Sequence, residues 1–194
     1  MKHSILTRIN FTDLTLLDQY LKVTKKVLIP ALKSQTNKNF DLIVITNPEI
    51  VDLLRSELDY PFTAVYGNGH CYSYLLDNKI NIQTRHDCDD YMSPDYVQKI
   101  QETYLITHKK YDKFIIQAQP TQLIYQTGEE KSLSPYSSRR CSMFLSLCQT
   151  DVINHVFERK HGQMYEIASN VITLPTGYTK WVIHGKNQSL LKKK

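Results

Sequence analysis

The 194-residue sequence predicts an α/β fold with a mixed sheet flanked by helices. Three observations carry that prediction. Strand and helix patterns alternate at short intervals through the first half. A continuous apolar run, Phe40-Asp41-Leu42-Ile43-Val44-Ile45-Thr46, has the character of a parallel strand covered on both faces. The second half is richer in short strand-like runs than in helices, which points to a mixed rather than a purely parallel sheet.

In chain order, residues 5–9 read as a short strand. Thr12 or Asp13 then caps a helix running towards Lys33, with Leu17, Leu21, Thr24, Leu28 and Leu32 at helical spacing on its inner face. Pro30 lies inside that pattern and predicts a kink or restart. After the strand centred on Val44, Pro48-Glu49 opens a second helix with Ile50, Leu53, Leu54 and Leu58 inward. Residues 63–66 form a third strand and Gly67-Asn68-Gly69 a turn. Ser93 caps a helix that starts on Pro94 and faces Val97, Ile100, Tyr104 and Thr107 inward. Strands are expected at 114–117, 123–125, 143–147, 171–174 and 181–183, and a short helix at 151–159.

Composition excludes several classes. The hydrophobic fraction of 41% and charged fraction of 22% are ordinary for one globular domain. The net charge of +5 owes much to Lys192, Lys193 and Lys194, a basic tail. Basic residues elsewhere occur in scattered pairs, not as the stripe with aromatics that a specific nucleic-acid binder shows. At most a peripheral attraction to anionic membrane is expected. The 4 cysteines, at 71, 88, 141 and 148, have no CxxC spacing, so neither a zinc ribbon nor a redox pair is indicated. With no apolar leader and no window of ~20 apolar residues, the chain reads as cytoplasmic with reduced thiols.

Thr84-Arg85-His86-Asp87-Cys88-Asp89-Asp90 is the most informative stretch. It sets three carboxylates within four residues, which repel one another unless a counter-charge or full solvation intervenes. Mg²⁺ or Mn²⁺ would serve, because these ions use one or two carboxylates together with substrate phosphates. At the carboxyl end of a strand, the loop would lie where α/β sheets bind ligands. The alternative is a solvated acidic turn in which Asp90 or Ser93 caps the next helix. An EF-hand is ruled out, since its Gly and Glu positions hold Met92 and Gln98. An aspartyl phosphatase would want an apolar strand before the acids, and Ile82-Gln83-Thr84-Arg85-His86 is too polar.

Four phrases, in order along the chain, resemble one family. Pro30-Ala31-Leu32-Lys33-Ser34-Gln35-Thr36, followed by Asn39-Phe40-Asp41-Leu42-Ile43-Val44, resembles the first helix and second strand of GT-A glycosyltransferases. Residues 84–90 look like the TRxDxDD of the rhamnosyltransferase-like family, and Trp181-Val182-Ile183-His184-Gly185-Lys186-Asn187-Gln188-Ser189 is similar to its closing WxxxHGxNxS. Leu6-Thr7-Arg8 suits its first strand. The resemblance implies a GT-A-like, Rossmann-type mixed sheet, a nucleoside-diphosphate sugar donor and a Mn²⁺- or Mg²⁺-dependent transfer of a hexose such as rhamnose to a glycan or small-molecule acceptor hydroxyl, with inversion.

The same resemblance implies roles for single residues. Asp89 would lead the metal ligands, with Asp87 near the ribose or a metal-bound water and His184 a late metal or diphosphate contact. Asp90 would support the loop or touch the sugar, and Arg85 would hold the loop or a phosphate. Thr7, Arg8, Asn47, Asn187 and Ser189 complete the donor-side set. Residues 1–110 would form the nucleotide-sugar-binding half of a single domain, 111–190 the half that completes the acceptor and metal site, and 191–194 the tail. Departures from the family are specific. The second strand ends Ile45-Thr46-Asn47-Pro48-Glu49, without the acidic pair that grips base and ribose. An inverting transfer needs a general base, usually a carboxylate. Gln149 stands where an acid is expected, which leaves Asp151, Glu158 and His161 as the candidates. The missing acids keep open a binding module on the same fold, one that holds the donor without turning it over.

Other groupings read as ordinary. His155, Glu158 and His161 lack HExxH spacing, and Ser137-Ser138-Arg139-Arg140 reads as a solvated loop or a phosphate contact. Tyr72, Tyr74, Tyr91 and Tyr96 flank the acidic loop, some packing on the sheet and some free to stack on a base or sugar.

Overall fold

The structure, a computed structural model, describes residues 1–11, 13–119, 122–125, 130–132 and 144–183. Strand β1 (His3–Ile9) buries residues on both faces, with Ile5, Leu6 and Ile9 all at 0% exposure. It therefore sits mid-sheet, between β2 (Asp41–Thr46) and β4 (Ile82–Arg85), parallel to each. Strand β3 (Thr63–Tyr66) adds in parallel beyond β2. From the second half, β9 (Phe144–Gln149) runs antiparallel between β4 and β6 (Lys113–Ala118), and β10 (Val171–Thr173) pairs in parallel with β6. The result is a 7-stranded mixed sheet of order β10-β6-β9-β4-β1-β2-β3, flanked by helices as the sequence predicts. Strands from both halves of the chain enter this one sheet.

A second sheet, of order β5-β11-β7-β8, is built from β5 (Tyr91–Met92), β7 (Gln122–Tyr125), β8 (Glu130–Ser132) and β11 (Thr179–Ile183). The short strands β5 and β8 have no sequence signal strong enough to read.

The long helical pattern divides into α1 (Leu14–Lys26) and α2 (Leu28–Ser34). Asp13 starts α1, its Oδ1 accepting from the Leu16 amide at 3.4 Å. Pro30 has no N–H for the Lys26 carbonyl, so the helix breaks one residue later and restarts. The inner stripe is as read: Leu17, Leu21, Thr24, Leu28 and Leu32 are all buried. Full burial of each leucine contributes about 1.5–3 kcal/mol. Gln35, 2% exposed, clasps α2 to a distant helix. Its Nε2 donates to the Ser93 carbonyl at 2.8 Å, and its Oε1 accepts from the Val97 amide at 3.0 Å. That amide belongs to the first turn of α5 (Tyr96–Thr107), so Gln35 acts as a remote cap.

Several expectations are corrected. Ser93 and Pro94 lie three and two residues before the start of α5, and Asp95 occupies its N-cap. Gly67-Asn68-Gly69 is the first turn of α4 (Gly67–Asp77), entered through Gly67 at φ 73°. In the helix that follows the 3-10 turn Pro48–Ile50, namely α3 (Val51–Glu57), Leu53 is 41% exposed and Val51 takes its place inside. Residues 151–159 form no helix, because the loop is held by side-chain amides and not by a backbone ladder. Helices α1, α2, α3 and α5 pack into one core cluster with Ile5, Leu42, Val44, Phe114 and Phe144. On the opposite face α4 packs with the 152–168 segment over Leu6, Ile43, Ile115 and Leu145. Among the described residues, no helix is long and apolar enough to cross a membrane.

Candidate functional site

Because β1, β2, β3 and β4 are parallel, their carboxyl ends share one edge of the sheet. That edge gathers Arg8, Asn47, Asn68 and the acidic loop. The polar strand before the loop, which the sequence made look unpromising, is central and almost fully partnered. Gln83 and Thr84 are both 0% exposed. Gln83 Nε2 donates to the Asn154 carbonyl at 3.1 Å, and its Oε1 accepts from the Val156 amide at 3.0 Å. Thr84 Oγ1 lies 2.7 Å from His3 Nε2 and 2.7 Å from Ser146 Oγ.

The loop is fixed from three sides. The His86 amide donates to the Leu6 carbonyl at 3.0 Å, continuing the ladder between β4 and β1 past Arg85. Cys88 turns into the main core, 3% exposed, beside the buried Thr24 of α1. Asp90, 2% exposed, accepts the Val182 amide of β11 on Oδ1 at 3.1 Å. Asp90 thus latches the loop to the strand in which the closing phrase begins. Burial, then the neighbouring Asp89 and Asp87, push its carboxyl well above the usual range against the pull of that amide.

Asp89 is 8% exposed. Asp87 keeps a side chain 40% exposed, and its Oδ1 lies 4.0 Å from Arg85 Nε. Desolvation raises the Asp87 carboxyl, Arg85 draws it back down and Asp89 raises it further. Tyr20 of α1 lies in the field of all three acids; burial first, then Asp89, raises its phenol. Its ring stacks on Phe11, with centroids 4.3 Å apart. Tyr20, Thr24 and Cys88 read from sequence only as helix or loop filler, since helical spacing does not tell which turn of α1 passes under the acids.

Arg8 and Arg85 lie on the opposite side of the loop from α1. Arg8 Nη2 donates to Asn68 Oδ1 at 2.8 Å. Both guanidinium groups face the ring of Phe157, with Cζ 4.0 Å and 4.6 Å from its centroid. Both Nε atoms are buried without a hydrogen-bond partner among the described residues. Asn47 donates to the Asn10 carbonyl at 3.5 Å, bridging the ends of β2 and β1. Thr7 is wholly buried, and its hydroxyl has no hydrogen-bond partner among the described residues.

The candidate bases lie apart. In the antiparallel pairing of β9 with β4, Cys148 faces Ile82 and Leu145 faces Arg85. Asp151 therefore follows the end of β9 that lies beside the start of β4, about 10 Å of strand from the acidic loop. Glu158 accepts from Asn154 Nδ2 at 2.9 Å. His161 begins the 3-10 turn His161–Glu166. Gln149 is structural: its Nε2 donates to the Asn154 carbonyl at 2.8 Å while its Oε1 accepts the Asn154 amide at 3.1 Å. A carboxylate cannot supply that donor. His184, Asn187, Ser189 and the 137–140 run lie outside the described residues.

Among the described residues, no group of three or more His, Cys, Asp or Glu side chains is placed to hold a metal ion. Mg²⁺ and Mn²⁺ do not require one, since one or two carboxylates plus substrate phosphates make their usual set. Asp87 and Asp89, with the mutual repulsion of the loop to relieve, fit that chemistry.

No family model and no curated protein sequence matches the chain. Among solved structures it is similar to S. aureus TarS 1-349, at 14% identity over 94% of this chain and 60% of that one, with a TM-score of 0.52. The same fragment in complex with UDP-GlcNAc matches at 13% identity over 100% of this chain and 61% of that one, with a TM-score of 0.54. S. aureus TarS itself matches at 12% identity over 94% of this chain and 37% of that one, with a TM-score of 0.53. The chain therefore spans about three-fifths of the 1-349 fragment. At these identities the likeness shows the fold, which is of the GT-A type.

Proposed function

We propose that this chain binds a nucleoside-diphosphate sugar at the carboxyl edge of β1, β2 and β4 and transfers the sugar, a hexose such as rhamnose, to an acceptor hydroxyl with the help of a divalent cation. The observation that carries the reading is the pairing of an acidic loop with two incompletely partnered arginines on one edge of a GT-A-type sheet. The TarS fragment crystallised with UDP-GlcNAc has the same fold, and this supports the donor class.

In this reading Asp87 and Asp89 would hold Mn²⁺ or Mg²⁺, and His184 is the further ligand that the family resemblance suggests. The cation supplies Lewis-acid stabilisation of charge on the departing diphosphate. Asp90 keeps the loop and β11 in register. Arg8 and Arg85 bind the phosphates through their guanidinium groups. Asn47 and Asn10, at the ends of two adjacent strands, meet the base or ribose with neutral groups in place of an acid pair. Glu158, next in sequence to the ring that touches both arginines, is the base candidate of this reading.

Calorimetric titration of UDP and dTDP with and without Mn²⁺ tests the reading. Nucleotide binding that requires the metal and is lost in Asp89→Ala is expected; the reading goes if neither nucleotide binds in the presence of Mn²⁺. A second reading, a donor-binding module without turnover, is favoured by Gln149 and by the distance of Asp151 from the loop. Sugar transfer or donor hydrolysis that disappears in Glu158→Gln would eliminate that one.

A further inference from the structure

Two like charges converge on one aromatic ring. The ring of Phe157 lies against both Arg8 and Arg85, at 4.0 Å and 4.6 Å. The Arg85 side chain is only 14% exposed, so its charge meets the ring largely out of water. The nearest described counter-charge is Asp87, 4.0 Å from Arg85 Nε and still 40% exposed. A neutral ring is therefore the main contact that both cations share. Its negative face attracts each of them and cancels neither charge.

Phe157 is not placed casually. It is 6% exposed, and its amide donates to His155 Nδ1 at 3.3 Å. The residues before it hang from two buried glutamines of neighbouring strands. Gln149 accepts the Ile153 amide at 3.4 Å and the Asn154 amide at 3.1 Å, and Gln83 accepts the Val156 amide at 3.0 Å. Two central strands thus fix the height at which the ring meets the arginines.

We propose that Phe157 is a positioning residue for an anion clamp: its ring holds Arg8 and Arg85 side by side, so that together they take the diphosphate of the donor. The proposal rests on the donor reading above. Without the ring, repulsion and the rotamer freedom of two long side chains would separate the guanidinium groups. A diphosphate, with oxygens enough for two arginine forks, suits the clamp better than a single phosphate does.

The test is calorimetry on the full chain with inorganic pyrophosphate and inorganic phosphate without metal, and with UDP in Mn²⁺. Wild type binds pyrophosphate more tightly than phosphate. In Phe157→Leu the pyrophosphate affinity falls by about tenfold, as expected for the loss of two cation–π contacts. Phe157→Trp, which keeps a ring, stays within about threefold. Pentafluorophenylalanine in place of Phe157 keeps the shape and reverses the ring's polarity, and its affinity falls as in the leucine variant. It also decides the matter should the leucine variant not fold. Arg8→Gln loses less affinity in the Phe157→Leu background than in wild type, because the two act as one unit.

A folded fluorinated protein that binds pyrophosphate as wild type does overturns the proposal, as does a wild type that binds no pyrophosphate. Metal-dependent UDP binding that ignores every change at Phe157 removes the clamp and leaves the donor reading intact. Pyrophosphate binding with no nucleotide binding does the reverse.

Discussion

Strand β4 carries two polar groups that are treated oppositely. Thr84 points to the face shared with α5 and joins a closed network. Gln101 Nε2 donates to His3 Nδ1 at 3.2 Å, His3 Nε2 lies 2.7 Å from Thr84 Oγ1, and Thr84 lies 2.7 Å from Ser146 Oγ. Asn37 and the Asn39 carbonyl complete the Gln101 amide, which fixes its orientation and hence the His3 tautomer. One residue on, Arg85 points to the other face, where it shares a ring with a second arginine and has one carboxylate 4.0 Å away. The first group is buried and fully paired, so it specifies strand register and contributes to stability. The second is charged, at an edge and incompletely paired. Such groups cost stability in the absence of a ligand and are kept for what binds them. Substitutions should therefore separate cleanly into those that damage the fold and those that damage only binding.

The largest effect is expected at the acidic loop. Asp89→Asn should lower metal-dependent nucleotide affinity by about a hundredfold, roughly 3 kcal/mol, the scale of losing one preorganised charged group. The same change removes the charge that pushes the Asp90 carboxyl upward. The melting temperature without metal should accordingly stay level or rise. A variant that loses binding only because it melts would erase the distinction between the two groups.

Next comes Gln149→Glu, which replaces an amide that both donates and accepts at 0% exposure. The carboxylate would be buried against the Asn154 carbonyl, a cost of about 2–3 kcal/mol. Thermal melts should show a drop of roughly 5–10 °C for a chain of this size. If the melting temperature is unchanged and a new transferase activity emerges, position 149 belongs to the chemistry and not to the frame.

Much of this frame was legible in the sequence. The inner stripe Leu17, Leu21, Thr24, Leu28 and Leu32 is buried as read, because helical spacing and burial are locally coupled. The strand over Asp41–Thr46 was equally plain, since a strand covered on both faces leaves an unbroken apolar run. β4 was the hard case. Its Gln83, Thr84 and Arg85 look like loop chemistry, and their partners are His3, Ser146, Asn154 and Phe157, all more than 60 residues away. Local pattern carries no trace of such pairings. The same limit hid Phe157 and Tyr20 from the site, whereas the acidic loop was visible because its three carboxylates are adjacent in the chain. Residues 151–159 misread as a helix for a related reason: the amides of Gln83 and Gln149 satisfy that backbone in place of a helical ladder.

The paired network should also reveal itself through pH. Burial lowers the His3 pKa from 6.5 to about 3. Between those values the unfolded chain binds a proton that the folded chain refuses, so stability is complete above pH 6.5 and falls as the pH drops towards 3. The slope for this one group approaches about 1.4 kcal/mol per pH unit. In His3→Leu the melts should be lower at neutral pH, because Thr84 and Gln101 lose a partner, but their acid dependence should be shallower by that amount. Equal acid slopes in the two proteins would mean that the protonated ring finds a partner inside the fold and that the network is not closed.

The smallest effect belongs to charges that are paired but exposed. Lys25 Nζ lies 2.7 Å from Glu57 Oε2, joining α1 to α3, yet the two side chains are 48% and 41% exposed. Water already solvates both ends, and holding two long side chains together costs entropy. A double-mutant cycle with Lys25→Ala and Glu57→Ala should give a coupling of about 0.5 kcal/mol or less, shrinking further in high salt. This pair is shorter than the 4.0 Å contact between Arg85 and Asp87, whose side chains are 14% and 40% exposed. Distance alone would rank the surface pair as the more important of the two. If the cycle instead returned several kcal/mol for Lys25–Glu57, exposure would not be what separates the two kinds of polar contact in this molecule, and the inference drawn from Arg8 and Arg85 would lose its physical basis.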